Sequence, residues 1–396
     1  MKRIVFIILC FNTILLQGQD PSFSQFDLNM IYSNPGFSGY EGGTKSLLHS
    51  RNQWNSLNEN FNTSIFELSS NIKLNPNNRK TRTSWGPGIG VTTKDLGMLL
   101  AGNSVFIKKT ELMLYPMSFH MKLAEVWYLS GGAGINFRKY SLESSSLIFS
   151  DQWGEYGVFN PITNAPINTF IHDGTKIDGS FGFIITKHGK YQNTRGNRFI
   201  LGSSLNHITK PSESFSGNEN KESMIPLKHI IHAEWFYGIP AYKRTFIPYV
   251  KTIFKHERYI DEYYDVFKPW GESKISKTEF GTTAILSNTN IELGLLYRLD
   301  HNYNNYHIQT IIPIFRFLKS FEKLKIGLSY SYDMNIAGSN RLNIGNTGST
   351  HEMGLIIYLF SSKGKGKSIG NTDCPAFMKN GALFEDIYNN GLNKRK

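Results

Sequence analysis

The chain has 396 residues, is rich in Phe (28) and Tyr (20), and carries 43 Lys and Arg against 31 Asp and Glu, a formal charge of +12. That charge is dispersed rather than gathered into a basic stripe, which argues against nucleic acid as the partner. After Leu16 no run approaches the roughly 20 apolar residues of a helical membrane span, and two cysteines, Cys10 and Cys374, are too few for a disulfide framework or a multi-cysteine metal site.

Met1, Lys2 and Arg3, followed by the apolar run Ile4 to Leu16, read as a signal peptide that ends near Gly18. Cys10 lies inside that run behind Leu9, so it leaves with the peptide and carries no lipid. In the next segment, Ser22 and Gln25 have capping-box spacing and Asn34-Pro35 supplies a stop, which predicts a helix from Phe23 to Tyr32. Its stripe of Phe23, Phe26, Met30 and Ile31 is suited to packing on, or plugging, a larger body.

From Gly43 the helical period gives way to period two. In Lys323 to Asp333, Leu324, Ile326, Leu328, Tyr330 and Tyr332 alternate with Lys325, Gly327, Ser329, Ser331 and Asp333. Ile291 to Asp300 repeats the pattern, with Leu296 as its exception. One face suits lipid and the other water. The remaining strands are placed near 44–53, 61–74, 84–93, 111–122, 125–137, 175–187, 198–207, 228–239, 244–257, 277–287, 306–317 and 349–360, about fourteen in all. Connections alternate between long (94–110, 138–174, 208–227, 258–276, 334–348) and short (123–124, 240–243, 288–289, 318–322), with 75–83 and 188–197 longer than the pattern wants. Long external loops and short periplasmic turns give a membrane barrel this parity.

The expected fold is therefore all-β: an outer-membrane barrel of about fourteen antiparallel strands over 43–360. It follows a signal peptide (1–18) and an N-terminal helical segment (19–42), and precedes a basic tail (361–396) with seven Lys or Arg against three acids. The parity puts both termini in the periplasm.

Catalytic and cofactor chemistry is not legible. There is no G-x-S-x-G, no H-E-x-x-H and no paired Cys or His at metal spacing. Gly86-Pro87-Gly88-Ile89-Gly90 lacks the Lys-Ser/Thr of a phosphate loop and suits barrel bends and tight packing. His188, His207, His229, His232 and His256 read as lumen-facing polar residues, and Asp151, Asp173 and Asp178 form no calcium loop. A non-enzymatic chain without metal or cofactor is expected.

Five pieces in order carry a resemblance: QDPSFSQFDLNMIYSNPGFSGYEG, HSRNQWNSL, TKDLG, LGSSLNHITKPSESF, and LKIGLSYSYDMNIAGSNRL with GSTHEMGLIIYLF. Within them stand Phe23, Gln25, Phe26, Asn34, Pro35, Arg51, Gln53, Trp54, Asp95, Gly97, Ser329, Tyr330, Asp333 and Glu352, the family-motif and candidate partner-binding positions. The chain resembles the PorP/SprF outer-membrane proteins of the Bacteroidetes type IX secretion system. It departs from them where a G-x-S-Y-D motif is stretched to Ser329-Tyr330-Ser331-Tyr332-Asp333, and in the Cys374-Pro375 tail.

The resemblance implies a partner or anchor for secreted or surface-displayed cargo, such as gliding adhesins with a C-terminal sorting domain. It also implies work beside periplasmic and lipoprotein components of the secretion machine, in contact with outer-membrane lipid. A passive pore for small solutes is the alternative. Trp54 at the outer end of the first strand suits the interfacial aromatic girdle, and position alone suggests that Arg51 pairs with Asp333.

Overall fold

The computed structural model describes residues 23–53, 61–74, 83–100, 103–124, 126–142, 152, 175–188, 197–213, 224–238, 249–260, 276–286, 289–301, 307–321, 324–337 and 350–359. The segment 1–18 expected as a signal peptide, Trp54 and the tail fall outside them. The strands are β1 (Thr44–Gln53), β2 (Phe61–Ser70), β3 (Ile72–Lys73), β4 (Thr83–Trp85), β5 (Gly88–Leu100), β6 (Asn103–Lys122), β7 (Trp127–Leu142) and β8 (Lys176–His188). They continue as β9 (Arg198–Asn206), β10 (Leu227–Gly238), β11 (Tyr249–Ile260), β12 (Ser276–Ile285), β13 (Ile291–His301), β14 (His307–Ser320), β15 (Leu324–Ala337) and β16 (Thr350–Leu359).

All pair antiparallel in one sheet. Consecutive strands pair round the wall, β6 with β7 included, and the pairing of β1 with β16 joins the first strand to the last and closes the ring. The short β3 and β4 prolong β2 and β5, so the wall has fourteen staves.

Burial is inverted relative to a soluble protein. On β15 the predicted alternation holds: Leu328 is 55% exposed on the outer face, while Lys325, Ser331 and Asp333 are buried on the inner one. Other staves repeat it, with Phe181, Leu295 and Met353 outside and Arg138, Glu234 and Arg316 inside. An apolar outer band around a charged interior is what lipid outside and an enclosed lumen demand.

Two sequence expectations need correction. The segment 94–110, expected as a long connection, is mostly strand. β5 runs to Leu100 and β6 starts at Asn103, because the apolar stretch from Leu96 hides its alternation. The helix expected over 23–32 is confined to Met30–Ser33, with a 3-10 turn at Pro35–Phe37. Residues 23–29 run as turns and extended backbone, since the near-consecutive side chains of Ser24, Gln25 and Asp27 each bond the wall and no single helical stripe could face it.

That N-terminal segment fills the lumen. Phe23, Phe26, Ile31, Phe37 and Tyr40 pack against an inner ring of Ile65, Met113, Tyr115, Ile184, Ile200, Phe236, Ile253 and Ile285 from the wall. Close approach requires a wall without side chains at one point: a Cβ on Gly132 would stand 2.6 Å from the Pro35 carbonyl carbon.

Gly132→Val is therefore expected to lower the temperature at which the barrel loses its compact electrophoretic mobility, as overpacking costs about 1–3 kcal/mol. Gly131→Val, with nothing nearer than 3.9 Å to its Cβ, is the matched control and is expected to leave that temperature unchanged.

Candidate functional site

The plug meets the wall at a charge cluster on the barrel's closing seam. Arg51 of β1 and Glu352 of β16 are directly opposite in the ladder that joins the first and last strands, and their side chains form a buried ion pair. Arg51 also reaches Asp333 of β15 at 2.9 Å, and Arg298 of β13 reaches the same carboxylate at 2.8 Å. Ser24 of the plug sits at the centre. Its hydroxyl accepts from Arg51 and Arg298 at 2.7 and 2.8 Å and donates to Asp333 at 2.8 Å. The backbone N–H groups of Ser24 and Gln25 donate to the two oxygens of Glu352 at 2.7 and 3.2 Å.

A second cluster holds the next residues. Arg316 of β14 grips Asp27 through two nitrogens at 2.5 and 2.6 Å and lies 3.2 Å from Glu292, while Lys251 of β11 pairs with Asp27 as well. The Gln25 side-chain oxygen accepts from Arg316 at 3.2 Å and from Ser329, and its amide donates to Ser331 at 3.1 Å. Burying these charges is unfavourable unless each is paired and bonded. Plug and wall satisfy one another.

Further along, Asn34 donates to the carbonyls of Phe183 and Ser203, both at 3.2 Å, and its own oxygen accepts from Gly36 at 2.9 Å. Ser33 accepts from Ser204 at 2.6 Å, the Ser38 carbonyl bonds Ser118 and His120, and the Tyr40 hydroxyl meets Thr186 at 2.7 Å. Segment 23–40 is thus bonded to strands all round the barrel.

A third set of contacts pins the loop after β9. His207 and Lys210 both adopt positive φ, 62° and 49°, a conformation that non-glycine residues hold only when something compensates. His207 meets Asp178 at 2.7 Å, Asp178 pairs with Arg138 at 3.1 Å, and Glu213 takes Lys109 at 2.9 Å and the Tyr140 hydroxyl at 2.6 Å. Burial pushes the Glu213 carboxyl up, but Lys109 and the Tyr140 hydrogen bond outweigh it and hold it below its ordinary range. A depressed carboxylate stabilises above its unfolded value and loses that contribution as pH falls through the folded one. Amide hydrogen exchange at Ser212 and Glu213 is accordingly expected to accelerate relative to the wall below about pH 4, near the carboxylate reference value. Protection relative to the wall that is the same at pH 7 and at about pH 2, well below the carboxylate reference value, would contradict the tether.

Of the residues singled out from sequence, Gln25, Arg51, Ser329, Asp333 and Glu352 converge at the seam, and Phe23 stacks on His49 beside it at 4.7 Å. Phe26, Asn34 and Pro35 hold the plug elsewhere. Gln53 ends β1 opposite Phe61, Asp95 stands opposite Lys108, Gly97 opposite Phe106, and Tyr330 points outward to bond His351 at 2.8 Å. These four lie away from the cluster.

Sequence reasoning missed Asp27, Lys251, Arg298 and Arg316 as site residues. Their signal was ionisable side chains on the inward parity of strands and within an otherwise uncharged plug segment.

Arg51 has two acidic partners and Asp333 two basic ones, so exchanging the pair does not restore it. Arg51→Asp would place a carboxylate against Glu352, and Asp333→Arg would place a guanidinium against Arg298. The double exchange is expected to assemble no better than either single variant, read as the fraction of heat-modifiable barrel in outer membranes. Full recovery would mean an isolated pair rather than a four-charge cluster.

The inverted wall and filled lumen define the class: an outer-membrane β-barrel with an integral plug. Residues 15–357 match the family described as type IX secretion system membrane protein PorP/SprF. The chain belongs to that family and is a membrane component of type IX secretion. No curated protein matches it. Similar solved structures include the Pseudomonas putida toluene transporter TodX (12% identity, 84% of this chain and 94% of that one, TM-score 0.44). A Pseudomonas aeruginosa FadL homologue (9%, 84% and 94%, TM-score 0.41) and the translocator domain of the Neisseria meningitidis autotransporter NalP (9%, 84% and 94%, TM-score 0.36) are also similar.

Proposed function

We propose that the protein is a non-catalytic outer-membrane anchor for secreted or surface-displayed proteins that carry a C-terminal sorting domain, of the gliding-adhesin kind. In this reading the end where β1 starts and β16 stops faces the periplasm and its secretion components, and the opposite end, with the connections 143–175, 207–226 and 261–275, faces outward to hold cargo. The observation that carries it is the clamped plug. A solute pore needs an open path, whereas here the lumen is occupied by a segment bonded through buried charges at the seam. Family membership supports the secretion setting.

The test is affinity purification of the tagged full chain from detergent-solubilised outer membranes, with mass spectrometry of what stays bound. A sorting-domain protein together with type IX lipoproteins is expected. Recovery of the barrel alone from cells that are actively secreting would contradict the anchoring role.

A further inference from the structure

On the outward face of β9–β13 the apolar belt stops abruptly. Leu201, Ala233, Phe254, Phe280 and Tyr297 stand in one row of the ladder, opposite one another from strand to strand, and Leu201, Phe254 and Phe280 are 40% exposed or more. The next outward row, toward the ends of β11 and β13, is Ser203, Ile231, His256, Thr278 and Leu299. Beyond it come His229, Arg258, Ser276 and His301.

Their chain neighbours show that these side chains face out. Lys255 and Glu257, on either side of His256, pair with each other inside the lumen, Lys228 beside His229 lies over the plug's Tyr32, and Asp300 beside His301 pairs with the inward Arg298. Arg258 is exposed, and the three histidines are half-buried. His229 stands directly opposite Arg258, with His256 two residues along the same strand, so all three lie within one step of the ladder. The Ser203 hydroxyl meets Nε2 of His229 at 2.8 Å and the Thr278 hydroxyl meets Nδ1 of His256 at 3.0 Å. Each ring is thereby fixed, and its other nitrogen has no hydrogen-bond partner among the described residues. Among those residues no carboxylate faces outward anywhere on β9–β13.

A guanidinium and three imidazoles at the edge of an apolar belt occupy the level of a lipid headgroup, and the anion found there is phosphate. We infer that this patch binds the phosphorylated headgroup of an outer-leaflet glycolipid of the lipid A class. The phosphate takes charge-assisted bonds from Arg258 and from the second nitrogens of His229 and His256, while the acyl chains lie down the rows that hold Phe254 and Phe280. His301 is two strands from Arg258, about 10 Å. That exceeds the reach of one phosphate and suits a headgroup of linked sugars carrying several chains. The inference rests on the orientation in the anchoring reading, which turns the ends of β11 and β13 outward.

The experiment titrates the purified full chain in detergent with lipid A isolated from the same cells and reads retained lipid by native mass spectrometry. Dephosphorylated lipid A and phosphatidylglycerol are run in parallel. The variant is Arg258→Gln with His229→Gln and His256→Gln, and its folding is checked by heat-modifiable mobility. Lys108→Gln with Lys139→Gln, at exposed positions on another part of the wall, controls for loss of positive charge.

Lipid A retention at least ten-fold below wild type is expected for the folded triple variant and within two-fold of wild type for the lysine control. Arg258→Gln alone, at an exposed position, is expected to lose at least three-fold, and dephosphorylation is expected to weaken retention by the wild-type protein at least ten-fold. Triple-variant retention within two-fold of wild type, or undiminished retention of the dephosphorylated lipid, would overturn the phosphate site. Equal retention of phosphatidylglycerol would overturn the glycolipid as its occupant. An antibody epitope in the connection 261–275 reads the orientation separately: labelling only after the outer membrane is breached would overturn the orientation, whatever the lipid binding.

Discussion

Everything inside the barrel depends on one electrostatic requirement: a charge on the inner wall must find a partner, because the lumen is sealed from bulk water by the plug and from the outside by lipid. Breaking a buried ion pair by removing one member costs about 3–5 kcal/mol, a large part of a typical folding free energy. Ser24 and Asp27 sit where that cost would otherwise fall. Without Asp27, Arg316 and Lys251 would crowd Glu292, which lies 3.2 and 3.5 Å from them. Without Ser24, Arg51 and Arg298 would face each other across Asp333 with no hydroxyl between them. The plug is thus part of the fold rather than an accessory placed within it.

The same cluster explains why closure and plugging go together. Arg51 and Glu352 belong to the two strands that meet last, and the plug's first described residues bond to that very pair. A seam is the weakest join of a barrel, since its strands are farthest apart in sequence and loop closure comes before any contact rewards it. Next to it the β14–β15 ladder is interrupted around Pro313, which has no N–H to give, so the pairing skips from Ile311↔Met334 to Ile314↔Ser331. Asp333 lies in that gap, held from inside by two guanidinium groups. Charge stabilises the wall where backbone pairing is missing.

The wall was largely legible because lipid on one side and polar surroundings on the other impose period two, and β13 and β15 obey it almost residue by residue. The exceptions carried information that sequence alone did not decode. Leu296 interrupts its alternation because it packs inward with Ile312 and Ile314, and the runs Phe183-Ile184-Ile185, Phe199-Ile200-Leu201 and Trp235-Phe236-Tyr237 are apolar on both faces where the plug packs. The plug's helix was over-read, since an apolar stripe from Phe23 to Ile31 fits a helix, but the polar side chains between its members, Ser24, Gln25 and Asp27, bond the wall as well. The ends of β5 and β6 were under-read for the opposite reason, an apolar run with no alternation to mark it. Arg51 with Asp333 was legible from position, whereas Arg298, Arg316 and Lys251 needed the ring to be closed before they could be seen to converge.

The central claim is that segment 23–43 is a permanent, charge-clamped part of the lumen. Planar-bilayer recording of the purified full-length protein tests it most directly. The account predicts an electrically silent barrel, with no more than brief openings at moderate voltage. A steady ohmic conductance through the wild-type protein, of the size expected for an open fourteen-stranded lumen, would contradict it.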